Sequence, residues 1–523
     1  MNSRLNFETL VGQKLTIGVP GTRVTPEIIR HFKEIHAGGL ILYRINFESP
    51  AQIKKFIADL ESALARKLLI CLDHEGGRVV MFREGVTVFP DNLALGKAGQ
   101  VEYARQQGTI EAKELRRLGV DVNLSPVLDV LTDSYSPNIG IRSYGLDWNL
   151  VNAMGTARIV SMQKGGLSAC AKHFPGKGHA PLDAHLGLPV IPSTWEEMNA
   201  VHLRPFIQAI KNGIHSIMTS HPHYPNLDPN TIATFSRKIV HDTLRDRFEF
   251  KGVIFSDDLE MGAIKAICPM GPAGVKAVEA GHDILLVCHD QEAQKKVYKA
   301  LLQAYRNKTL SHDELEESFE RIEILKAKRE KRFEAGSPRP NPDGKVLARK
   351  ICDESVTFLK NPIRRSLKDW KKRKLLVIFP RFSSLASKIM IEKEICDESK
   401  YLLAQFKSLG LKPEILIVGI EPSPREITEA QSKAGDFETT LLFCFDAHLY
   451  PSNKELLDSI QIRASEAIIA LLRDPYDADL VHRTCLTDFG WRTCQIEAMI
   501  RFLFNPGKFF SSLDKGRLAG QYS

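Results

Sequence analysis

The chain has 523 residues, 43% hydrophobic and 26% charged, a balance near the globular average that supplies a sizeable core and speaks against a disordered chain. Its 71 Lys and Arg against 63 Asp and Glu leave a formal +8, a mild excess that falls short of the concentrated patch a nucleic-acid partner would need. The densest basic run, Arg364 to Lys374 (residue 364 onward RRSLKDWKKRK), reads as a solvated helix face or linker edge.

Nine cysteines are scattered with no CxxC spacing, and several sit inside apolar runs where a thiol behaves as a small hydrophobe, which fits a reducing compartment. The start MNSRLNFETLVGQKL lacks a basic segment followed by an unbroken apolar one, and no run of about 18 apolar residues occurs, so neither a secretion signal nor a membrane span is expected. The expected location is cytoplasmic.

From residue 14 to 290, short aliphatic runs alternate with stretches of helical periodicity, the rhythm of repeated βα units. Eight runs occur: KLTIGV from Lys14, GLILY from Gly39, LLICLD from Leu68, VDVNLSPV from Val120, LSACAKH from Leu167, IHSIMTSH from Ile214, GVIFSDD from Gly252 and DILLVCHD from Asp283. Eight parallel strands predict a closed (β/α)8 TIM-like barrel over residues 1–335. Polar residues gather just after each run, at Asp73 to Glu75, Ser125, Lys172 to His173, Ser220 to His221, Asp257 to Asp258 and His289 to Asp290. These are carboxyl ends of strands, which a barrel brings to one face.

After a charged amphipathic helix from Ser311, the segment 336–345 (GSPRPNPDGK) carries three prolines and two glycines and is the expected linker. Beyond it, KLLVIF from Lys374, EILIVGI from Glu414, TLLFCFD from Thr440 and AIIALL from Ala467 predict a smaller open α/β sandwich domain over 346–523, with four strands. Asp474 and Asp477 follow the last of these runs and read as turn formers.

Two segments carry chemistry. Residues 171–192 (AKHFPGKGHAPLDAHLGLPVIP) pack Lys172, His173, Lys177, His179, Asp183 and His185 into one Gly- and Pro-punctuated loop, long enough to fold over a barrel mouth. Asp183 can accept one ring N–H of His185 and favour its charged form, which makes that histidine a proton donor near neutrality. In GVIFSDDLEMGA, residues 252–263, an apolar strand ends in two aspartates; side chains alternate, so one of Asp257 and Asp258 faces the pocket, and the strand pattern does not choose between them. A lone carboxylate there suits covalent glycoside hydrolysis.

These motifs resemble glycoside hydrolase family 3, and within it the bacterial β-N-acetylhexosaminidases of cell-wall recycling, marked by KHFPGHG followed by D-x-H. Here the segments are KHFPGKG with Asp183-Ala184-His185, CLDHEGGRV at 71–79, SPVLDV at 125–130, IGIRSYG at 139–145 and IFSDDLEMGA at 254–263. The resemblance implies a two-domain enzyme without metal or cofactor that releases terminal β-linked N-acetylglucosamine from a small carbohydrate or muropeptide. It implies Asp257 as nucleophile, His185 as general acid/base oriented by Asp183, and Asp73, Arg142, Lys172 and His173 as sugar ligands. The chain departs from the pattern at Lys177 (usually His), Ala184 (usually Ser) and Met81 (commonly a sugar-binding Arg, for which Arg83 can reach back); these departures point to a changed outer subsite.

Alternatives remain open in the residues. His173, His179, Asp183 and His185 are zinc-compatible types, although they crowd one loop beside Lys172, whose charge opposes a cation. Phosphorolysis, a β-glucosidase-like specificity and a non-catalytic sugar-binding protein are the other readings.

Overall fold

Each aliphatic run of the first half becomes a strand because helices cover its outer side and neighbouring strands its edges, leaving no face for polar residues until the run ends. In the computed structural model, which describes residues 6–133, 135–180, 187–328, 342–363, 365–384 and 394–504, the strands are β1 (Leu15–Ile17), β2 (Gly39–Leu42), β3 (Leu69–Leu72), β4 (Val122–Asn123), β5 (Ser168–Phe174), β6 (Ser216–Thr219), β7 (Val253–Asp258) and β8 (Ile284–Val287). All pair in parallel, and β1 pairs with both β2 and β8, closing the barrel. The connecting helices show their signals plainly. In Pro50–Leu64, Ser49 accepts the Gln52 N–H, Pro50 opens the first turn, and Ile53, Phe56, Ile57 and Leu60 are buried at i, i+3, i+4, i+7 spacing.

The barrel interior is apolar, with Cys71, Val122, Leu124, Cys170, Met218, Phe255 and Leu286 meeting in one cluster. Burial pushes the Cys170 thiol up to about 12, so it packs as a neutral small hydrophobe. Ile322 and Leu325 of the helix His312–Ala327 join the same cluster. That helix therefore plugs the floor of the barrel, and the charged amphipathic pattern after Leu310 has an apolar side because it must.

By contacts the chain divides into two units, 1–89 with 99–345, and 90–98 with 346–523. The short helix Asn92–Ala98 thus groups with the second unit, where the Lys97 ammonium lies over the Phe489 ring at 5.7 Å, although the expected boundary gave it to the barrel. The helix Pro342–Ser355 begins inside the expected linker, whose residues 336–341 lie outside the described set.

Among the described residues the second unit holds six strands rather than the expected four: β9 (Thr357–Lys360), β10 (Leu375–Pro380), β11 (Glu414–Val418), β12 (Thr439–Phe445), β13 (Ala467–Leu472) and β14 (Thr484–Thr487), in the order β11-β10-β12-β13-β14-β9. Of these six strands only β9 runs antiparallel. The runs of β10, β12 and β13 are buried along their whole length because both faces are covered, whereas β11 at the sheet edge is only partly buried: Val377, Leu441, Phe443 and Ile468 enter one core, and Leu376, Leu442, Cys444 and Ile469 the other. The two unexpected strands, TFLK and TCLT, are four residues each and carry no comparable aliphatic run. Among the described residues no helix is long and apolar enough to cross a membrane.

Leu325 is 3% exposed in the plugging helix. Leu325→Ala is expected to lower barrel stability by about 2–5 kcal/mol in chemical denaturation; a loss below about 0.5 kcal/mol, the range of a surface change, would show that the helix does not fill the floor.

Candidate active site

The carboxyl ends of β3, β4, β5 and β7 converge on one connected set of charges. Arg158, fully buried on the helix Trp148–Lys164, is held by Glu111 through Nε (2.9 Å) and Nη2 (2.7 Å) and donates to the Glu75 carbonyl at 2.7 Å. Asn123 exchanges two hydrogen bonds with the His74 backbone, at 3.0 and 2.9 Å. The loop after β3 is thereby fixed before its side chains make any contact.

The Glu75 carboxylate, 2% exposed, takes a fork from Arg142 (Nε to Oε2 2.9 Å, Nη2 to Oε1 2.8 Å) and an ion pair from Lys172 at 2.6 Å. Lys172 also pairs with Asp73. Burial alone would raise Glu75; the two cations outweigh it and hold the carboxyl well below the usual range. Burial would likewise lower Lys172, and Asp73 and Glu75 instead raise it. Asp73 is pushed up by burial and by Glu75 against the pull of Lys172. Its side chain, 20% exposed where Lys172 is 2%, is the open end of the group.

Lys172 and His173 are consecutive, yet both engage the site because the register of β5 against β6 shifts between Ala171 and Phe174. His173 Nδ1 lies 2.7 Å from Asp129 Oδ2, and Arg142 Nη2 lies 3.4 Å from His173 Nε2. A guanidinium only donates, so Nε2 accepts and Nδ1 carries the proton. Burial, with Lys177 and Arg142 nearby, holds the imidazole neutral, well below its ordinary value. Asp129 also accepts the backbone N–H of His173 (3.1 Å) and of Lys177 (2.6 Å). Beyond Lys177 the chain presses against the β4 loop: a Cβ on Gly178 would stand 2.0 Å from the Val130 carbonyl oxygen.

This turn directs the Lys177 ammonium to 3.7 Å from Asp257 Oδ2. Lys177 is 2% exposed. The departure from His at this position therefore falls beside the strand-end carboxylate and not in an outer subsite, because Asp129 and the close approach of Gly178 tie the backbone inward. The two aspartates of β7 differ in surroundings. Asp258 Oδ1 accepts from the backbone of Glu260 (3.0 Å) and Cys288 (3.3 Å), and burial pushes its carboxyl up to about 7. For Asp257 burial also raises, but Lys177, His221 and Lys172 outweigh it, leaving the carboxylate below its ordinary value and ionised at neutrality.

Of the residues singled out in the sequence, Asp73, Arg142, Lys172, His173 and Asp257 lie in this network, and Asp183 and His185 lie outside the described residues. Glu75, Asp129 and His221 belong to it as well: the sequence places Glu75 and His221 at strand ends without giving them a role, and leaves Asp129 unmarked. Glu75 and Asp129 sit inside the quoted motifs CLDHEGGRV and SPVLDV, and a buried acid within a strand-end motif beside two cationic positions was the available signal. For the zinc reading, both ring nitrogens of His173 are engaged, one facing a guanidinium, and His179 Nε2 lies 2.8 Å from Ser193 Oγ with its ring stacked on His202 at 4.0 Å. In the basic run, Arg365 and Arg373 pair with Glu466 of the same unit at 2.6 and 3.4 Å, an internal use of that charge.

The model of the glycosyl hydrolase family 3 N-terminal domain matches residues 8–325. A β-hexosaminidase of Methylobacillus flagellatus is 36% identical over 284 residues, 53% of this chain and 81% of its own. A β-hexosaminidase of Methylococcus capsulatus is 39% identical over 269 residues, 51% of this chain and 79% of its own. The structure of a glycoside hydrolase family 3 β-N-acetylglucosaminidase from Paenibacillus sp. superposes with a TM-score of 0.89 at 31% identity, covering 96% of this chain and 97% of that one.

Lys177→Met removes the cation that lowers Asp257 most. The folded-state value of Asp257 then rises, so a rate that needs the carboxylate ionised falls at a higher pH. The expected result is an acidic limb of the pH–rate profile displaced upward in Lys177→Met; a limb left in place would show that Lys177 does not set the charge state of Asp257.

Proposed function

The chain belongs to glycosyl hydrolase family 3 and is a glycoside hydrolase of the β-hexosaminidase type, and from that footing we propose that it is a retaining exo-enzyme releasing terminal β-linked N-acetylglucosamine. One observation carries the reading: a charge network running from Asp73 to Lys177 ends on an ionised Asp257 at a strand terminus. In a barrel mouth a lone carboxylate kept ionised among cations is a nucleophile, whereas Asp258, bound to backbone N–H groups and pushed up to about 7, is a turn residue.

In the first step an Asp257 oxygen bonds to the anomeric carbon as the bond from that carbon to the leaving oxygen breaks, and His185, oriented by Asp183, donates its proton to that oxygen. In the second step His185 takes a proton from water, the water oxygen bonds to the anomeric carbon, and the ester to Asp257 breaks. Asp73 at the open end of its group, with Arg142 and Lys172, grips hydroxyls and the N-acetyl group in a geometry fixed by Glu75, while neutral His173, expected from the resemblance to touch sugar, has both ring nitrogens engaged by Asp129 and Arg142 and acts as a positioning residue. The roles of Asp183 and His185 rest on the sequence resemblance. Peptidoglycan fragments are the proposed source of substrate, and a cytoplasmic site of action is supported by nine cysteines that are all free thiols.

A second reading has one observation in its favour. Once Asp257 is esterified its charge is gone, and the Lys177 ammonium 3.7 Å away favours an incoming anion. Phosphate in place of water would then yield a sugar 1-phosphate, which an assay with and without phosphate detects.

With chromogenic β-N-acetylglucosaminide, β-glucoside and β-xyloside side by side, the first is expected to be turned over fastest. Asp257→Ala is expected to lower kcat by about a thousandfold or more, and His185→Ala by about a hundred- to ten-thousandfold. Preference for the plain glucoside would contradict the substrate, and near-normal turnover by Asp257→Ala the mechanism.

A further inference from the structure

At the other end of the barrel, where strands begin, lies a second polar cavity of about 370 Å³. Lys14 stands just before β1 and Asp283 just before β8, and the helix His312–Ala327 lays Ser318 and Arg321 across the space, one turn from the Ile322 and Leu325 that plug the floor. These four positions share one helix face, so the floor is half apolar plug and half charged chamber.

Lys14 is 2% exposed, and its ammonium donates to Ser318 Oγ at 2.7 Å. Among the described residues it has no other hydrogen-bond acceptor and no carboxylate within ion-pair distance. Asp283 is already committed: Oδ2 accepts from Arg245 Nη2 (2.6 Å) and the Ile254 N–H (2.8 Å), and Oδ1 from Arg321 Nε (3.0 Å). The deep half of the chamber thus sets Lys14, Arg245 and Arg321 against a single carboxylate. The acids Asp246, Glu314 and Glu317 stand at the solvated rim, their side chains 65, 47 and 66% exposed, and the Arg321 guanidinium meets Glu317 only at 3.6 Å.

A buried ammonium with a hydroxyl as its one partner is costly. Burial lowers Lys14 to about 8, yet it keeps unspent donors turned to a space in the size range of small-molecule sites, about 300–1,000 Å³. We propose that this chamber binds a small oxyanion, the phosphoryl group of a metabolite or phosphate itself, with the Lys14 ammonium as its deep contact and the terminal guanidinium nitrogens of Arg321 as the second. The site is independent of the hydrolytic reading, since none of its residues belongs to the mouth network.

Calorimetric titration of the full chain at constant ionic strength, with inorganic phosphate in one arm and glucose 6-phosphate in the other, tests this. One saturable equivalent is expected, weakened about tenfold or more in Lys14→Met and to a lesser degree in Arg321→Gln, with hydrolysis of the chromogenic substrate retained in both. Tighter binding of the phosphoester assigns the chamber to a metabolite, and equal binding assigns it to the free ion. Should Lys14→Met not fold, Arg321→Gln decides alone. Absence of saturable binding in both arms, or affinities unchanged by the substitutions, overturns the proposal.

Discussion

A carboxylate sealed inside a protein must be matched by cations, and the Glu75 carboxylate, gripped by Arg142 on one side and Lys172 on the other, is the constraint from which the mouth of this barrel follows. Removing one partner of such a buried group costs about 3–5 kcal/mol, because it strands the others. Each member therefore dictates the next. Arg142, held by Glu75, turns a nitrogen to His173; His173 must be neutral and must donate its Nδ1 hydrogen bond to Asp129; Asp129 fixes the Lys177 backbone; and Lys177 meets Asp257. The order of charges, not any single contact, separates the two aspartates of β7. The supports behind the chain are equally buried: Arg158 holds the Glu75 backbone from the outer helix layer, and Asn123 locks the loop after β3. A site assembled this way is organised before a ligand arrives, which is what a reaction driven by fixed charges requires.

The two ends of the barrel solve the burial of lysine differently. At the mouth, Lys172 sits between two carboxylates and its ammonium is stabilised in the charged form; at the floor, Lys14 has one hydroxyl, and its charge is poorly supported. The parallel barrel explains why both exist, since it gathers charged loop residues from distant parts of the chain at each end while its middle holds an apolar cluster.

The barrel was legible because buried parallel strands must be continuous aliphatic runs, and eight such runs with helices between them admit few other folds. The same rule fails for TFLK and TCLT, four-residue strands that pair with each other at one side of the second sheet and need no long apolar run. In the site, Asp73, Lys172 and His173 stood out as polar groups directly after aliphatic runs, and Arg142 through a family motif. Glu75 stands in the same strand-end cluster as Asp73, and Asp129 inside a motif, but neither gains a role from the sequence, because both contact other side chains and backbone and only the fold brings those partners within reach. Lys177 looked peripheral because its neighbour in space is 80 positions away in the chain. Asp183 and His185 stand on loop chemistry and on the family motif alone.

The most direct measurement is mass spectrometry of the enzyme after reaction with an activated 5-fluoro N-acetylglucosaminide, which forms a glycosyl-enzyme faster than water releases it. One added sugar per chain is expected, located by fragmentation on Asp257 within the peptide that also holds Asp258. A label on Asp258 or any other residue, or rapid turnover with no covalent species, would contradict it.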